Sequence, residues 1–238
     1  MSNHLIFDFL AWTSAFVAGI TVYKWRIREF YLPAIEKVST GYFVSLAVGA
    51  VGGAFLFGSL NLIITGKEGL GRSVVGALFG AIVLVEIYKK IKGIKLSTGI
   101  VYVVPLTVSI AIGRLGCHFA GIDDFTYGKA TDFFIRIDLG DGVLRHPVQL
   151  YESSAMLLFL LVSLYLINTK NKFFITNSFY LFIGWYSAQR FVLEFLKPYG
   201  TLAGPFNIFH FVCAVLAIYS IVMIKNNESK NNKAVIDG

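Results

Sequence analysis

Charge and cysteine are both scarce in this 238-residue chain, of which 15% is charged and only two residues are cysteine. An ordinary soluble domain carries roughly 25% charged residues, so the shortage argues against a chain that has water as its main solvent. Cys117 and Cys213 give neither a disulfide framework nor metal-ligand spacing, and Cys213 sits inside an apolar run where it reads as a small core hydrophobe. A P-loop, a nucleotide fingerprint, a serine nucleophile elbow and a repeat of fixed period are all missing. The net charge of +7 is carried by short basic clusters between apolar runs, without interleaved aromatics, which excludes a nucleic-acid face.

What the chain has in abundance is apolar sequence, at 56% hydrophobic residues and a mean hydropathy of +0.68. Several runs exceed the roughly 18 residues at which a membrane-spanning helix becomes the expected structure. The sequence predicts an all-α integral membrane protein with about seven transmembrane helices, at 5–23, 41–64, 73–91, 96–113, 147–167, 174–195 and 206–224. The first run, Leu5 to Tyr23, has no lysine or arginine before it and no small-residue cleavage pattern after it, so it is expected to stay as helix one. Residues 1–224 form a single polytopic membrane domain on this reading, with 114–146 as a small extracytoplasmic segment and 225–238 as a flexible, basic cytoplasmic tail.

Orientation follows from the basic residues in alternate loops. Lys24, Arg26, Arg28 and Lys37 follow helix one, and Lys89, Lys90, Lys92 and Lys95 follow helix three. Lys170 and Lys172 follow helix five, and Lys225, Lys230 and Lys233 lie in the tail, so 13 of the 21 basic residues share one side. That side is expected to be cytoplasmic, with the amino terminus outside. Gly49 with Gly53, and Gly76 with Gly80, put small residues four apart on helices two and three, a pattern for close helix packing. Glu86 is expected to pair with Lys89 or Lys90.

Three polar groups far apart in sequence then arrive at the same outer rim. The first is Gly113-Arg114-Leu115-Gly116-Cys117-His118, continuing to Asp123, Asp124 and Gly128. Its glycines are expected to interrupt the helix and free backbone N–H groups, and Arg114 offers a planar fork of donors suited to a phosphate. The second is His146-Pro147-Val148-Gln149-Leu150-Tyr151-Glu152, where proline suits a first helical turn and Gln149 and Glu152 lie three apart on one face. A carboxylate at that depth is costly unless it is paired or faces water. The third is Arg190 to Lys197, in which Arg190 and Glu194 stand one turn apart and can pair.

These residues resemble the bacterial prolipoprotein diacylglyceryl transferase family. The resemblance rests on Gly113-Arg114-Leu115-Gly116 with Gly128, on His146-Pro-x-Gln149-Leu-Tyr151-Glu152, and on Arg190-x-x-x-Glu194-Phe195, in that order along residues 40–200. The heptapeptide that begins at His146 is the most specific part. What the resemblance implies is transfer of a diacylglyceryl group from phosphatidylglycerol, an anionic phospholipid, to the cysteine thiol of a lipoprotein precursor or a similar thiol acceptor. It implies no cofactor, and it places the site at the extracytoplasmic side of the bacterial plasma membrane.

By the same resemblance Arg114 and Arg190 hold the lipid phosphate and stabilise the leaving group, with Glu194 as the family's carboxylate and Lys197 as a further basic residue. Gly113, Gly116, Gly128, Gln149 and Tyr151 join Lys197 as substrate-binding candidates. Transfer to a thiol calls for a thiolate, and His146, Glu152 and Glu194 all remain open as the base. The chain departs from the family at Val75-Gly76-Ala77, where a histidine-glycine-glycine motif is usual, and at Cys117, where asparagine is usual. Asp123 or Asp124 stands in for a glutamate, and Cys117 beside His118 offers a possible covalent nucleophile. A relative that binds anionic phospholipid or uses another acceptor is the alternative reading, followed by a transporter.

Overall fold

The computed structural model describes residues 2–29, 38–94 and 97–236, with side chains over 5–29, 38–94 and 97–229. Lys37 and Lys95 lie outside the described residues, as do the side chains of Lys230 and Lys233.

Among the described residues there are seven α-helices. They are α1 (Ser2–Val22, continued by one wider π turn, Tyr23–Ile27), α2 (Thr40–Ile64), α3 (Val74–Lys92), α4 (Ile100–Ala120), α5 (Val148–Asn168), α6 (Lys172–Glu194) and α7 (Ile208–Ile236). Local chemistry marks several ends. Ser73 caps α3 by accepting from the Gly76 N–H at 3.2 Å, and Asn171 caps α6 by accepting from the Phe174 N–H at 2.9 Å. Gly93 ends α3 in the left-handed conformation at φ 68°, which a side chain would strain.

Two ends differ from the sequence expectation. The glycines at 113 and 116 do not interrupt helix four, which runs on to Ala120. An isolated glycine costs an exposed helix only about 1 kcal/mol, and packing outweighs it here: a Cβ at Gly116 would meet the Phe7 Cβ of α1 at 2.5 Å. The segment between helices four and five therefore starts at Gly121 rather than at 114. Helix seven also continues through 225–236, where neither proline nor glycine stops it.

Among the described residues, five stretches are long and apolar enough to cross a membrane by length and composition, namely Leu5–Ile27, Thr40–Ile64, Ile100–Asp124, Val148–Asn168 and Ile208–Ser229. The other two helices, α3 and α6, reach 19 and 23 residues; α3 carries Glu86, Lys89, Lys90 and Lys92, and α6 is rich in neutral polar residues such as Asn177, Ser178, Ser187 and Gln189. Large apolar side chains lie bare on the outside, among them Phe9, Trp12 (77% exposed), Phe16 and Leu161. In water such a surface would drive aggregation, whereas in lipid it is the solvated face. The chain is an all-α membrane protein.

It divides into two compact units, Met1–Phe30 with Gly99–Pro198, and Tyr31–Thr98 with Tyr199–Gly238. In the second unit α2 and α3 cross backbone to backbone. A Cβ on Gly53 would lie 2.2 Å from the Gly76 carbonyl oxygen, and one on Gly49 would lie 2.4 Å from that of Gly80. Glu86 of α3 accepts from Lys89 Nζ and from the Tyr219 hydroxyl of α7, each at 3.0 Å.

In the first unit α4 packs against α1 and α5, and α6 packs on α5 and α4. The Ser153 hydroxyl donates to the Ala111 carbonyl at 2.9 Å, tying α5 to α4, and Trp185 Nε1 donates to the Ala155 carbonyl at 3.1 Å, tying α6 to α5. Between α4 and α5 the chain makes a short 3-10 turn, Gly121–Asp124, and a small antiparallel hairpin, β1 (Ile137–Asp138) with β2 (Leu144–Arg145). Asp138 Oδ1 closes the hairpin turn by accepting from the N–H groups of Gly140, Asp141 and Gly142. The Lys129 N–H donates to the Leu196 carbonyl at 2.6 Å, which fastens this segment to the chain just beyond α6.

Candidate active site

Three helices of the first unit each bring a charge to one place. Arg114 lies near the end of α4, Glu152 in the second turn of α5, and Arg190 and Glu194 in the last turns of α6, with Lys197 three residues further on. The Glu152 carboxylate accepts from Arg114 Nε and from an Arg190 terminal nitrogen, and from Lys197 Nζ at 2.6 Å. Arg190 Nε also reaches Glu194 at 2.5 Å, and Lys197 Nζ lies 3.7 Å from the same carboxylate. All five residues are buried, with Glu152, Glu194 and Lys197 each 1% exposed.

Three cations and two carboxylates leave one net positive charge. Removing these groups from water costs several kcal/mol per ion, which only mutual pairing and hydrogen bonding offset. Lys197 lies beyond the end of α6, and burial, reinforced by Arg190 beside it, pushes its ammonium down to about 8 against the pull of Glu152 and Glu194.

The cluster extends along α4. Arg114 Nη1 approaches Cys117 Sγ at 3.8 Å, and the Cys117 thiol is hydrogen-bonded to Asp124. Of the two neighbouring aspartates it is thus Asp124 that faces the arginine, through the thiol, while Asp123 is exposed. Asp124 also accepts from the Thr126 hydroxyl. His118 packs edge-on against Phe119, and its buried Nδ1 has no partner.

Other residues named from the sequence hold the site's frame. The Tyr151 hydroxyl donates to the Ile135 carbonyl of the hairpin segment at 3.3 Å, away from the charge cluster. The His146 ring lies 5.7 Å from Phe133 and 6.4 Å from Tyr151 between centroids, with Nδ1 buried and unpartnered. Gly128 is buried beneath His146, where a Cβ would come within 2.3 Å of the His146 carbonyl oxygen. Gly128 therefore lets the segment pass under the start of α5, and Gly116 is turned to Phe7. A Cβ at Gly113 would meet nothing within 4 Å. Gln149 is 1% exposed and has no hydrogen-bond partner.

Sequence reasoning missed Tyr186. It is fully buried one turn before Arg190 and close enough to Arg114 to interact with it electrostatically. Its spacing of four from Arg190 was the available signal. Also in this unit, an open apolar groove of about 530 Å³ lies among α1, α4 and α5, lined by Thr13, Val17, Val104, Val108 and Leu160 among others. Among the described residues no cluster of histidine, cysteine and carboxylate side chains could hold a metal ion.

Helices that expose apolar side chains on the outside and bury a cluster of net positive charge within define a membrane protein with a charged centre. The family model for prolipoprotein diacylglyceryl transferase matches residues 9–225, and the chain belongs to that family. Phosphatidylglycerol--prolipoprotein diacylglyceryl transferase of Ehrlichia ruminantium (strain Welgevonden) is 28% identical over 207 residues, covering 79% of each chain. The protein of the same name from Ehrlichia canis is 28% identical over 235 residues, covering 90% of this chain and 88% of its own. That from Bacillus cytotoxicus is 31% identical over 171 residues, covering 68% of this chain and 62% of its own.

Proposed function

We propose that the protein transfers a diacylglyceryl group from phosphatidylglycerol to the cysteine thiol of a lipoprotein precursor. The observation that carries this reading is the convergence of Arg114, Arg190 and Lys197 on one buried carboxylate. The sulfur of the acceptor attacks the glyceryl carbon that bears the phosphate, a C–S bond forms, and the C–O bond to phosphate breaks. Glycerol phosphate leaves with the electron pair, and the thiol proton passes to a base. Arg114, Arg190 and Lys197 stabilise the charge that grows on the departing phosphate, which is where fixed cations in a dry site contribute most. Glu194 holds Arg190, and Glu152 holds all three cations in register.

For the base, the geometry favours His146 over the two carboxylates. Glu152 and Glu194 are already engaged by cations, whereas His146 Nδ1 has no partner. The open apolar groove suits an acyl chain of the donor. Val108 is six residues before Arg114 and Leu160 eight residues after Glu152, so the groove lies about 9–12 Å deeper along the same helices. The topology that fits is seven spans with the amino terminus outside, which sets the cluster, near the ends of α4 and α6 and the start of α5, at the outer leaflet. The basic residues between α1 and α2 and after α3 and α5 support that direction.

The test is incubation of the purified protein with labelled phosphatidylglycerol and a peptide carrying a lipoprotein signal cysteine. Lipidated peptide and glycerol phosphate are expected in equal amounts, with a loss of about 10²–10³-fold in Arg190→Ala. Absence of both products with the intact protein overturns the reading. For topology, a membrane-impermeant thiol reagent applied to intact cells is expected to label Asp132→Cys and spare Lys170→Cys.

A further inference from the structure

The charge cluster accounts for the phosphate of a donor lipid and for nothing beyond it. One turn before Glu152, the Gln149 side chain is 1% exposed, and neither its amide nitrogen nor its carbonyl oxygen meets a hydrogen-bond partner. Such orphans are rare in folded proteins, because each buried amide group left unpaired costs free energy that water would otherwise supply. Methionine has nearly the same volume and would fill the place with no polar atom to satisfy. The carboxamide is thus a cost to the unliganded fold, set on the helix that carries the shared carboxylate.

Resting on the donor reading above, we propose that Gln149 is the headgroup-recognition residue, taking the vicinal hydroxyl pair of a glycerol headgroup. A carboxamide presents one donor edge and one acceptor oxygen side by side. The N–H donates to one hydroxyl oxygen, and the carbonyl accepts the O–H of the other. Charge fits the same assignment: the cluster's single net positive charge matches the one negative charge of a phosphodiester, so the rest of the headgroup needs a neutral polar partner. An ethanolamine or serine headgroup brings an ammonium, for which a neutral amide offers no counter-charge. A site built to hydrogen-bond hydroxyls also rejects an analogue that lacks them, because its own polar atoms are then left bare.

The experiment compares short-chain phosphatidylglycerol with short-chain phosphatidylpropanol, which keeps the phosphodiester, its charge and three headgroup carbons but has no hydroxyl. Melting temperature with each lipid and transfer to the peptide are both read, in the intact protein and in Gln149→Met. The intact protein is expected to prefer phosphatidylglycerol on the order of tenfold, from two neutral hydrogen bonds. In Gln149→Met the preference is expected to fall to about one, through weaker use of phosphatidylglycerol, and the lipid-free protein is expected to melt higher. A preference that survives in Gln149→Met, no preference in the intact protein, or equal loss of both lipids in the variant overturns the proposal. Preference in the melting shift without transfer from either lipid upholds the headgroup site and overturns the transferase reading instead. Should Gln149→Met not fold, Gln149→Asn decides, since drawing the amide back by one methylene is expected to weaken the preference and an unchanged preference refutes it.

Discussion

Replacing Glu152 by glutamine tests whether this carboxylate organises the centre. The substitution keeps the volume and removes one negative charge, leaving Arg114, Arg190 and Lys197 to share Glu194 alone among the five residues. Arg114 and Arg190 are 7% and 3% exposed and Lys197 is 1% exposed, so water screens little of the imbalance. Breaking a buried ion pair by removing one partner costs about 3–5 kcal/mol. For a chain of this length each kcal/mol corresponds to a fall of roughly 2–4 °C in Tm, so Glu152→Gln is expected to melt about 10 °C below the intact protein. Arg114→Met with Glu152→Gln removes both members of a pair and is expected to be milder than the sum of the single changes, with a coupling of about 1–3 kcal/mol. Thermal unfolding followed by a thiol-reactive dye or by circular dichroism reads all four proteins. A Tm for Glu152→Gln within about 2 °C of the intact protein, or strict additivity in the cycle, would refute the reasoning.

Other outcomes follow from the same geometry. Lys197 keeps its proton below pH about 8 and loses it above, so the net charge of the cluster falls from one to zero and KM for the anionic donor is expected to rise on the alkaline side. Lys197→Arg, which does not titrate in that range, is expected to remove this limb from the pH profile of KM. Gly53→Val drives a side chain against the Gly76 carbonyl, where no flexible group can yield, and is expected to cost about 1–3 kcal/mol in unfolding assays. Cys117→Ser keeps a donor towards Asp124 and is expected to retain transfer activity, whereas abolition would show a covalent thiol intermediate.

The helices were legible because length and apolar composition are local properties: α2, α5 and α6 fall within two residues of the spans read from the sequence at either end. Helix four was cut short at Gly113 because glycine was read for its backbone freedom, when Gly116 serves a contact with Phe7 that no local signal announces. Arg190 with Glu194 was foreseeable from a spacing of four. That Glu152 also binds Arg114 and Lys197 was not, since residues 38 and 45 apart along the chain meet only through the packing of α4, α5 and α6. Tyr186 escaped notice among the apolar residues of α6, and the vacant amide of Gln149 became visible only when its surroundings did.

The shared carboxylate also changes what binding means here. If the proposed function holds, an incoming phosphodiester would find the guanidinium and ammonium groups already occupied and would enter by anion exchange, drawing donors away from Glu152. Affinity is then a difference between two sets of similar bonds, and stray inorganic anions, which bring no acyl chains to tip the balance, gain little. On the proposed reaction, the same carboxylate would reclaim its donors after bond cleavage and help expel the product phosphate, resetting the centre for the next lipid.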